Sequence, residues 1–291
     1  MAHKIGKLVV CGVGLIGGSF ALALKQAGVV REVVGLGRSR ENLQAALRLG
    51  AIDAIAPDWR DALTGANLVL LALQVGQMEA QMQALAPYLE AQTIITDAGS
   101  TKGDVVAAAY RQFDARAGQF VPAHPIAGGE ASGVTAASAD LYRDKRVVIT
   151  PLKENPQAAL ELVRDIWGCC GAQVSNMTPA EHDRIFAAVS HLPHVLAFAL
   201  VHELTQRPNA EELFSFAAGG FRDFTRIAGS HPEMWRDISL ANREPLLLEL
   251  DAYIHALKKI RALIERGDGV ALAALFERAS SARKGWAQKS N

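Results

Sequence analysis

The chain of 291 residues has room for two domains, and half of its residues are hydrophobic, enough for a substantial core. Thirty basic side chains balance thirty acidic ones, which excludes the charged footprint of a nucleic-acid binder or of a protein held on an anionic membrane. Three cysteines, Cys11, Cys169 and Cys170, two of them adjacent, do not form a disulfide framework and point to a reducing cytoplasm.

Lys4 and Lys7 precede an uncharged run, 8-LVVCGVGLIGGSFALAL-24, laid out roughly like a secretory signal. Glycines break that run where a signal core would carry leucine, and their spacing has another meaning. Residues 7–12 read as a buried strand, and an Ala/Leu-rich helix runs on toward Gly28. Between them stand Gly12, Gly14, Leu15, Ile16 and Gly17, the strand–GxGxxG–helix pattern of a dinucleotide site. The helix N-terminus offers its free N–H groups to a pyrophosphate. No other run reads as long and apolar enough to span a bilayer.

The next strand, 32–37, ends on Gly37 where dinucleotide folds often place a ribose-binding carboxylate, and Arg38, Ser39 and Arg40 follow. A guanidinium can pair with a 2′-phosphate, so NADP is favoured over NAD. Further strands are expected at 67–75, 93–99, 119–125 and 146–151, with helices between them at 76–88 and 102–116. Their carboxyl ends, where ligands collect in an open parallel sheet, carry Gln74, the segment 97-DAGSTK-102 and His124. His124 opens the loop 124-HPIAGGEASG-133 and is a candidate acid/base beside a nicotinamide. The expected fold is α/β, a Rossmann-type doubly wound, mainly parallel sheet over residues 1–151, followed by an all-helical domain over 152–291.

After Pro151 the pattern reads as almost wholly helical. Thr178-Pro179-Ala180-Glu181 is a capping box with proline at the first helical position. Residues 191–204 are apolar on nearly every side, as in a helix buried in a helical core or between subunits. Residues 219–238 mix glycines with Arg222, Asp223, Arg226 and Trp235 and read as irregular backbone and short helices near a site. Residues 245–264 form a long amphipathic helix, and one more helix and a tail follow 265. No regulatory domain is expected after them. His191 and His194 lack the further ligands a metal site needs, and no metal is expected. His182, His202 and His255 read as ordinary core or capping histidines.

Together, G12-x-G14-x-x-G17, 97-DAGSTK-102, 124-HPIAGGEASG-133, 190-SHLPH-194, 219-GGFRDFTRIAGS-230 and 234-MWRDI-238 resemble the prephenate/arogenate dehydrogenase family of tyrosine biosynthesis, in family order and across most of the chain. The resemblance implies a two-domain subunit that forms a homodimer through the helical domain. It implies oxidation of the ring C4 carbinol of prephenate or arogenate, with loss of carbon dioxide as the ring aromatises. His124 matches the family's catalytic histidine, and Ser100 matches a serine that hydrogen-bonds near it. Arg226 matches an arginine that clamps a substrate carboxylate, with His194, His191 and Trp235 on the substrate side. Glu130 and Asp223 match acidic residues of an ion-pair network at the mouth of the site. The departure is the carboxylate missing at Gly37.

Two other readings stand beside this one. A reductase of the β-hydroxyacid dehydrogenase or imine reductase type would share the fold logic but would rely on a lysine or on hydroxyl donors. A non-catalytic NADP sensor would need the glycine pattern but not His124, Ser100 and Arg226 together.

Overall fold

Uncharged runs such as 8-LVVC-11 and 68-LVLL-71 make strand segments that must be covered on both faces, and both are buried. The computed structural model describes residues 4–129 and 131–289. Strand β1 (Ile5–Cys11) leads through the glycine turn into helix α1 (Leu15–Gln26). There follow β2 (Val30–Leu36), α2 (Arg40–Arg48), β3 (Ala54–Ile55), α3 (Trp59–Leu63), β4 (Leu68–Leu71), α4 (Val75–Leu85), β5 (Ile94–Asp97), α5 (Gly103–Phe113) and β6 (Phe120–Val121). The six strands form one parallel sheet in the order β3-β2-β1-β4-β5-β6. The order reverses at β1, so the crevice for a ligand opens above the carboxyl end of β1. Register places Cys11 beside Leu71, and Leu71 beside Asp97. Asp97 therefore lies level with the glycine turn, two strand spacings or about 10 Å to one side.

The expected strand over 119–125 is two strands. Pro122 has no N–H to continue the ladder. β6 ends before it, and the chain resumes as β7 (Ala123–Pro125) in a second sheet. There β7 pairs antiparallel with β8 (Arg146–Ile149), His124 opposite Val148. Helix α6 (Gln157–Cys169) then leads to β9 (Gln173–Asn176), which pairs in parallel with β8. Strand structure thus continues to Asn176, well past residue 151. The short β9 escapes a sequence reading because its residues, Gln173, Val174, Ser175 and Asn176, are mostly polar and none is fully buried.

Helix α7 (Pro179–Phe186) begins at the expected capping box, with both reciprocal hydrogen bonds in place. A π-helical turn (Ala187–His191) joins it to α8 (Leu192–Thr205) without a break. By length and composition alone, Pro179–Thr205 is apolar enough to cross a membrane. The sequence reading finds no such run there because Glu181, Asp183 and Arg184 crowd its start. Of its polar side chains, His182, Asp183 and His191 are buried and hydrogen-bonded in the fold. Next come α9 (Ala210–Ser215), α10 (Gly219–Thr225), a 3₁₀ turn (Arg226–Gly229) and α11 (Pro232–Ala241). The described residues fall into two compact units, divided after Arg243. The second unit holds the long helix α12 (Arg243–Glu265) and α13 (Gly269–Lys289).

Two of the three glycines of the turn are required by the fold itself, each for its own reason. Gly12 has φ of +90°, and a Cβ there would lie 2.3 Å from the Ala72 carbonyl oxygen. A Cβ at Gly17 would lie 2.3 Å from the Gly12 carbonyl oxygen, so this glycine lets helix and strand pack closely. A Cβ at Gly14 would meet no protein atom within 4 Å. Gly12→Ala and Gly17→Ala are each expected to lower the thermal midpoint by several degrees, whereas Gly14→Ala leaves it near the wild-type value. Thermal denaturation of the three variants checks this.

Candidate active site

The loop 97–103 organises the site. Asp97 and Lys102 form an ion pair of 2.5 Å, both side chains wholly buried. Together they hold one residue of the second sheet at both of its backbone groups. The Ala123 N–H donates to Asp97 Oδ1 at 2.9 Å, and Lys102 Nζ donates to the Ala123 carbonyl at 2.9 Å. The Gly99 N–H donates to the remaining Asp97 oxygen, Oδ2, at 2.8 Å. Ala123 immediately precedes His124, so this clamp fixes where the histidine leaves the backbone.

The same loop fixes a second element. Asp183 of α7 receives the N–H groups of Lys102 at 2.8 Å and of Gly103 at 2.7 Å, at the start of α5. An anion at a helix N-terminus is favoured by its orphan donors. Burial alone would raise the Asp183 carboxyl. The hydrogen bonds from His182 and from the Gly103 and Lys102 backbone outweigh it and hold the group below the ordinary aspartate value.

His182 bridges the two elements. Its Nδ1 lies 2.8 Å from Asp183 Oδ1, and its Nε2 lies 2.8 Å from His124 Nδ1. Phe186, one turn further along α7, packs against both rings with centroids 4.5 and 5.0 Å away. Burial pushes His124 well below the usual histidine value, and His182, Lys102 and His191 add to the shift. Burial also lowers His182, though the Asp183 hydrogen bond resists it.

His191 belongs to the same cluster. Nine residues at about 100° each would put it on the side of a regular helix opposite His182. The π-helical turn relieves this mismatch by widening the helix just before His191. Asn242 completes the link: its Nδ2 donates to the Asp183 carbonyl at 2.7 Å and lies 2.9 Å from His191 Nδ1. Burial pushes His191 down to about 4. One turn on, His194 Nδ1 lies 2.9 Å from the Ser190 carbonyl, and its ring stacks on Trp235 of α11 with centroids 3.5 Å apart. Burial lowers His194 overall despite the Ser190 bond, and the charge of Arg226 contributes.

The fold thus gathers His124 and His191, and gathers His194, Trp235 and Arg226. Ser100 is half-buried in the loop, and its hydroxyl has no hydrogen bond to His124. Asp223 is exposed on α10, and Glu130 lies outside the described residues. His182, read from sequence as an ordinary core histidine, is the direct partner of His124. Asp97 and Lys102 lie in the segment 97–102 that the sequence marks on the ligand side, but without a role of their own, and Asp183 and Asn242 were not singled out. The signal available was a buried-strand end carrying both an aspartate and a lysine, and an adjacent His-Asp pair just inside a capping box.

The segment after His124 is tied back to the glycine turn. Asn42 of α2 donates to the Val13 carbonyl at 2.6 Å and accepts the Val134 N–H at 3.1 Å. The Tyr142 hydroxyl donates to the Ile16 carbonyl at 2.6 Å. The Ser138 N–H donates to Ser19 Oγ at 2.9 Å. The turn itself fits a dinucleotide. Helix α1 has no side-chain cap at its N-terminus, and packing within the protein does not account for Gly14, where an approaching pyrophosphate would. Gln74 caps α4 beside it and is half-buried, bonded to Gln77 at 3.2 Å. Gly37, Arg38, Ser39 and Arg40 are exposed at the end of β2. The Ser39 oxygen accepts the Asn42 N–H as the N-cap of α2, which leaves its hydroxyl proton to donate elsewhere.

Known proteins share the sequence and the fold of this chain. Residues 20–176 match the family model for the prephenate dehydrogenase nucleotide-binding domain, and residues 178–278 match that for its dimerization domain. The chain is similar to a prephenate dehydrogenase of Bacillus subtilis (strain 168), 39% identical over 280 residues that cover 96% of this chain and 75% of the relative. It is similar to a cyclohexadienyl dehydrogenase of Zymomonas mobilis, 35% identical over 95% of this chain and 94% of the relative. Among solved structures, that of prephenate dehydrogenase from A. aeolicus in complex with hydroxyphenyl propionate and NAD+ superposes with a TM-score of 0.91. It is 34% identical and covers 98% of this chain and 99% of its own.

The depressed histidines make stability depend on pH. Each binds its proton less readily in the folded chain than in the unfolded one, where the value is about 6.5. Above that pH neither state is protonated and nothing is lost. Below it the unfolded chain takes up protons that the folded chain refuses, and stability falls until the folded value is passed. For His191 the window runs from 6.5 down to about 4. Asp104, raised by burial, acts in the opposite sense but as a single group. Urea midpoints measured from pH 7 to pH 4 are expected to fall steadily, and His191→Phe is expected to reduce the slope.

Proposed function

This chain belongs to the prephenate/arogenate dehydrogenase family, and on that premise we propose that it oxidises and decarboxylates prephenate and/or arogenate with His124 as the base. The activity is an NAD(P)-dependent dehydrogenation in tyrosine biosynthesis that gives 4-hydroxyphenylpyruvate or tyrosine. The observation that carries the assignment of His124 is its clamped backbone next to a ring kept neutral by burial, on a segment tied to the dinucleotide turn.

Gly12, Gly14, Leu15, Ile16 and Gly17 would hold the pyrophosphate, with Gln74 beside them. The nicotinamide, when bound, accepts the hydride from ring C4. As the C–H bond yields its electron pair, His124 accepts the hydroxyl proton, and a neutral imidazole is suited to that near pH 7. Arg226 pairs with a substrate carboxylate, and His194, stacked on Trp235, forms the wall beside it. His191 stands between this wall and His124. Ser100 would donate to the reacting hydroxyl, for which its own hydroxyl is available. Aromatisation then drives loss of carbon dioxide. Glu130 and Asp223 remain assigned to the mouth of the site on the family resemblance alone. For the assembly we propose a homodimer formed through the helical region; Leu247, Leu248, Ile254, Leu257 and Ile264 of α12 are exposed apolar side chains that a partner would cover.

The direct test is the initial rate with prephenate and with arogenate, each with NAD and with NADP, followed by the absorbance of the reduced nicotinamide. Absence of turnover in all four mixtures contradicts the reading. His124→Asn is expected to cut kcat about a hundredfold to ten-thousandfold while cofactor binding survives. Near-normal turnover would remove His124 from the mechanism. Arg226→Ala is expected to raise the Michaelis constant for substrate, with a loss of roughly 2–5 kcal/mol of binding. An unchanged constant would dismiss the clamp.

For the cofactor we propose a preference for NADP. Gly37 leaves out the carboxylate that would repel a 2′-phosphate, and Arg38, Ser39 and Arg40 supply donors beside it. Gly37 does not need to be glycine for packing, since an added Cβ would meet only Leu43, at 3.7 Å. Gly37→Asp is therefore expected to fold normally and to reverse or erase the preference, and Arg38→Ala to weaken NADP more than NAD. Titration of both cofactors decides it, and tighter binding of NAD by the unmodified protein contradicts it.

A further inference from the structure

The hydrogen-bond chain from Asp183 through His182 to His124 sets more than a position. Asp183 accepts two backbone N–H groups and is held in its ionised form. An ionised carboxylate only accepts, so the proton between it and His182 must sit on His182 Nδ1. A neutral His182 then has a lone pair at Nε2, and the proton in the next bond must sit on His124 Nδ1. That leaves the lone pair of His124 on Nε2, which makes no hydrogen bond among the described residues.

We propose that His182 and Asp183 are positioning residues that lock His124 in its Nδ1–H tautomer and share the charge it gains during the reaction. The inference rests on His124 being the base. In the step itself the substrate O–H bond breaks and its proton passes to His124 Nε2. The C4–H electron pair leaves to the nicotinamide, and the C4–O bond becomes a carbonyl. His124 is then an imidazolium whose Nδ1–H points at the lone pair of His182. The proton remains on His124, and its charge is stabilised along the chain by the Asp183 carboxylate, as a carboxylate–imidazole pair does elsewhere. The other groups facing this chain do not change with it. Lys102 and Asp97 neutralise each other behind the rings, and His191 is neutral with its Nδ1 turned to Asn242.

Two measurements test this. In the wild-type protein labelled with ¹⁵N histidine, long-range ¹⁵N–¹H correlation at neutral pH is expected to show His124 and His182 both as Nδ1–H tautomers. Either ring as Nε2–H overturns the proposal, whatever the role of His124 proves to be. The second uses His182→Phe, which keeps the ring volume and removes the acceptor, and His182→Gln, whose amide oxygen can accept in its place. The phenylalanine variant is expected to lose about tenfold or more in kcat, with little change in the Michaelis constant. The acid limb of its pH–rate profile should move to lower pH, because loss of the acceptor for the imidazolium outweighs relief of the repulsion that a charged His182 exerts on His124. The glutamine variant is expected to recover most of the loss. A phenylalanine variant with wild-type kcat and an unmoved limb, or a glutamine variant no better than it, contradicts the proposal. Should both variants fail to fold, the tautomers of the wild-type protein still decide. Loss of turnover in His124→Asn tests the base separately, so the two failures are distinguishable.

Discussion

A buried lysine and a buried aspartate, five residues apart on one loop, hold the site together. A buried ion pair contributes little net stability, because both charges must be stripped of water. Its value here lies in where the remaining hydrogen-bonding capacity goes. Asp97 and Lys102 take the N–H and the carbonyl of Ala123, on the far side of the Pro122 break. A strand as short as β7 has few ladder bonds of its own to fix it. The pair supplies what the ladder lacks, and His124 follows in the chain. The end of the same loop supplies two more N–H groups to Asp183, so β7 and α7 share one anchor.

The electrostatics follow from that packing. Four histidines, His124, His182, His191 and His194, are pressed into one region, and burial keeps each below its ordinary pKa. Like charges this close disfavour one another, so burial and mutual repulsion both favour neutral rings. A neutral ring with a free lone pair is what removal of a hydroxyl proton requires. Arg226 is exposed, and its charge helps to hold His194 low. The region therefore sets a group of buried, neutral rings beside the exposed charge of Arg226.

Much of this was legible in the sequence. The glycine turn, the Rossmann-type sheet and the capping box of α7 follow from local rules with strong residue preferences. The pairing of Pro with His in 124-HPIAGG-129 marked a place where regular structure breaks, and it does. What stayed hidden depends on contacts between distant parts of the chain. His182 carries no local sign of its role, because its partner lies 58 residues away. Asn242 is 51 residues from His191 and looks like any residue at a helix end. The π-helical turn that rotates His191 into place has no sequence preference from which it could be read. The polar strand β9 is set by its neighbour β8 rather than by its own pattern.

Amide hydrogen exchange at Ala123, Lys102 and Gly103 tests the anchoring loop most directly. Each of these N–H groups donates to a buried carboxylate, and none belongs to a helix or sheet ladder through that bond. If the loop is the constraint on which the site depends, all three exchange only when the first unit unfolds, as slowly as the amides of the central strand β1. Exchange at Ala123 orders of magnitude faster than in β1 would mean that the clamp opens on its own, and that something other than the Asp97–Lys102 pair holds His124 in place.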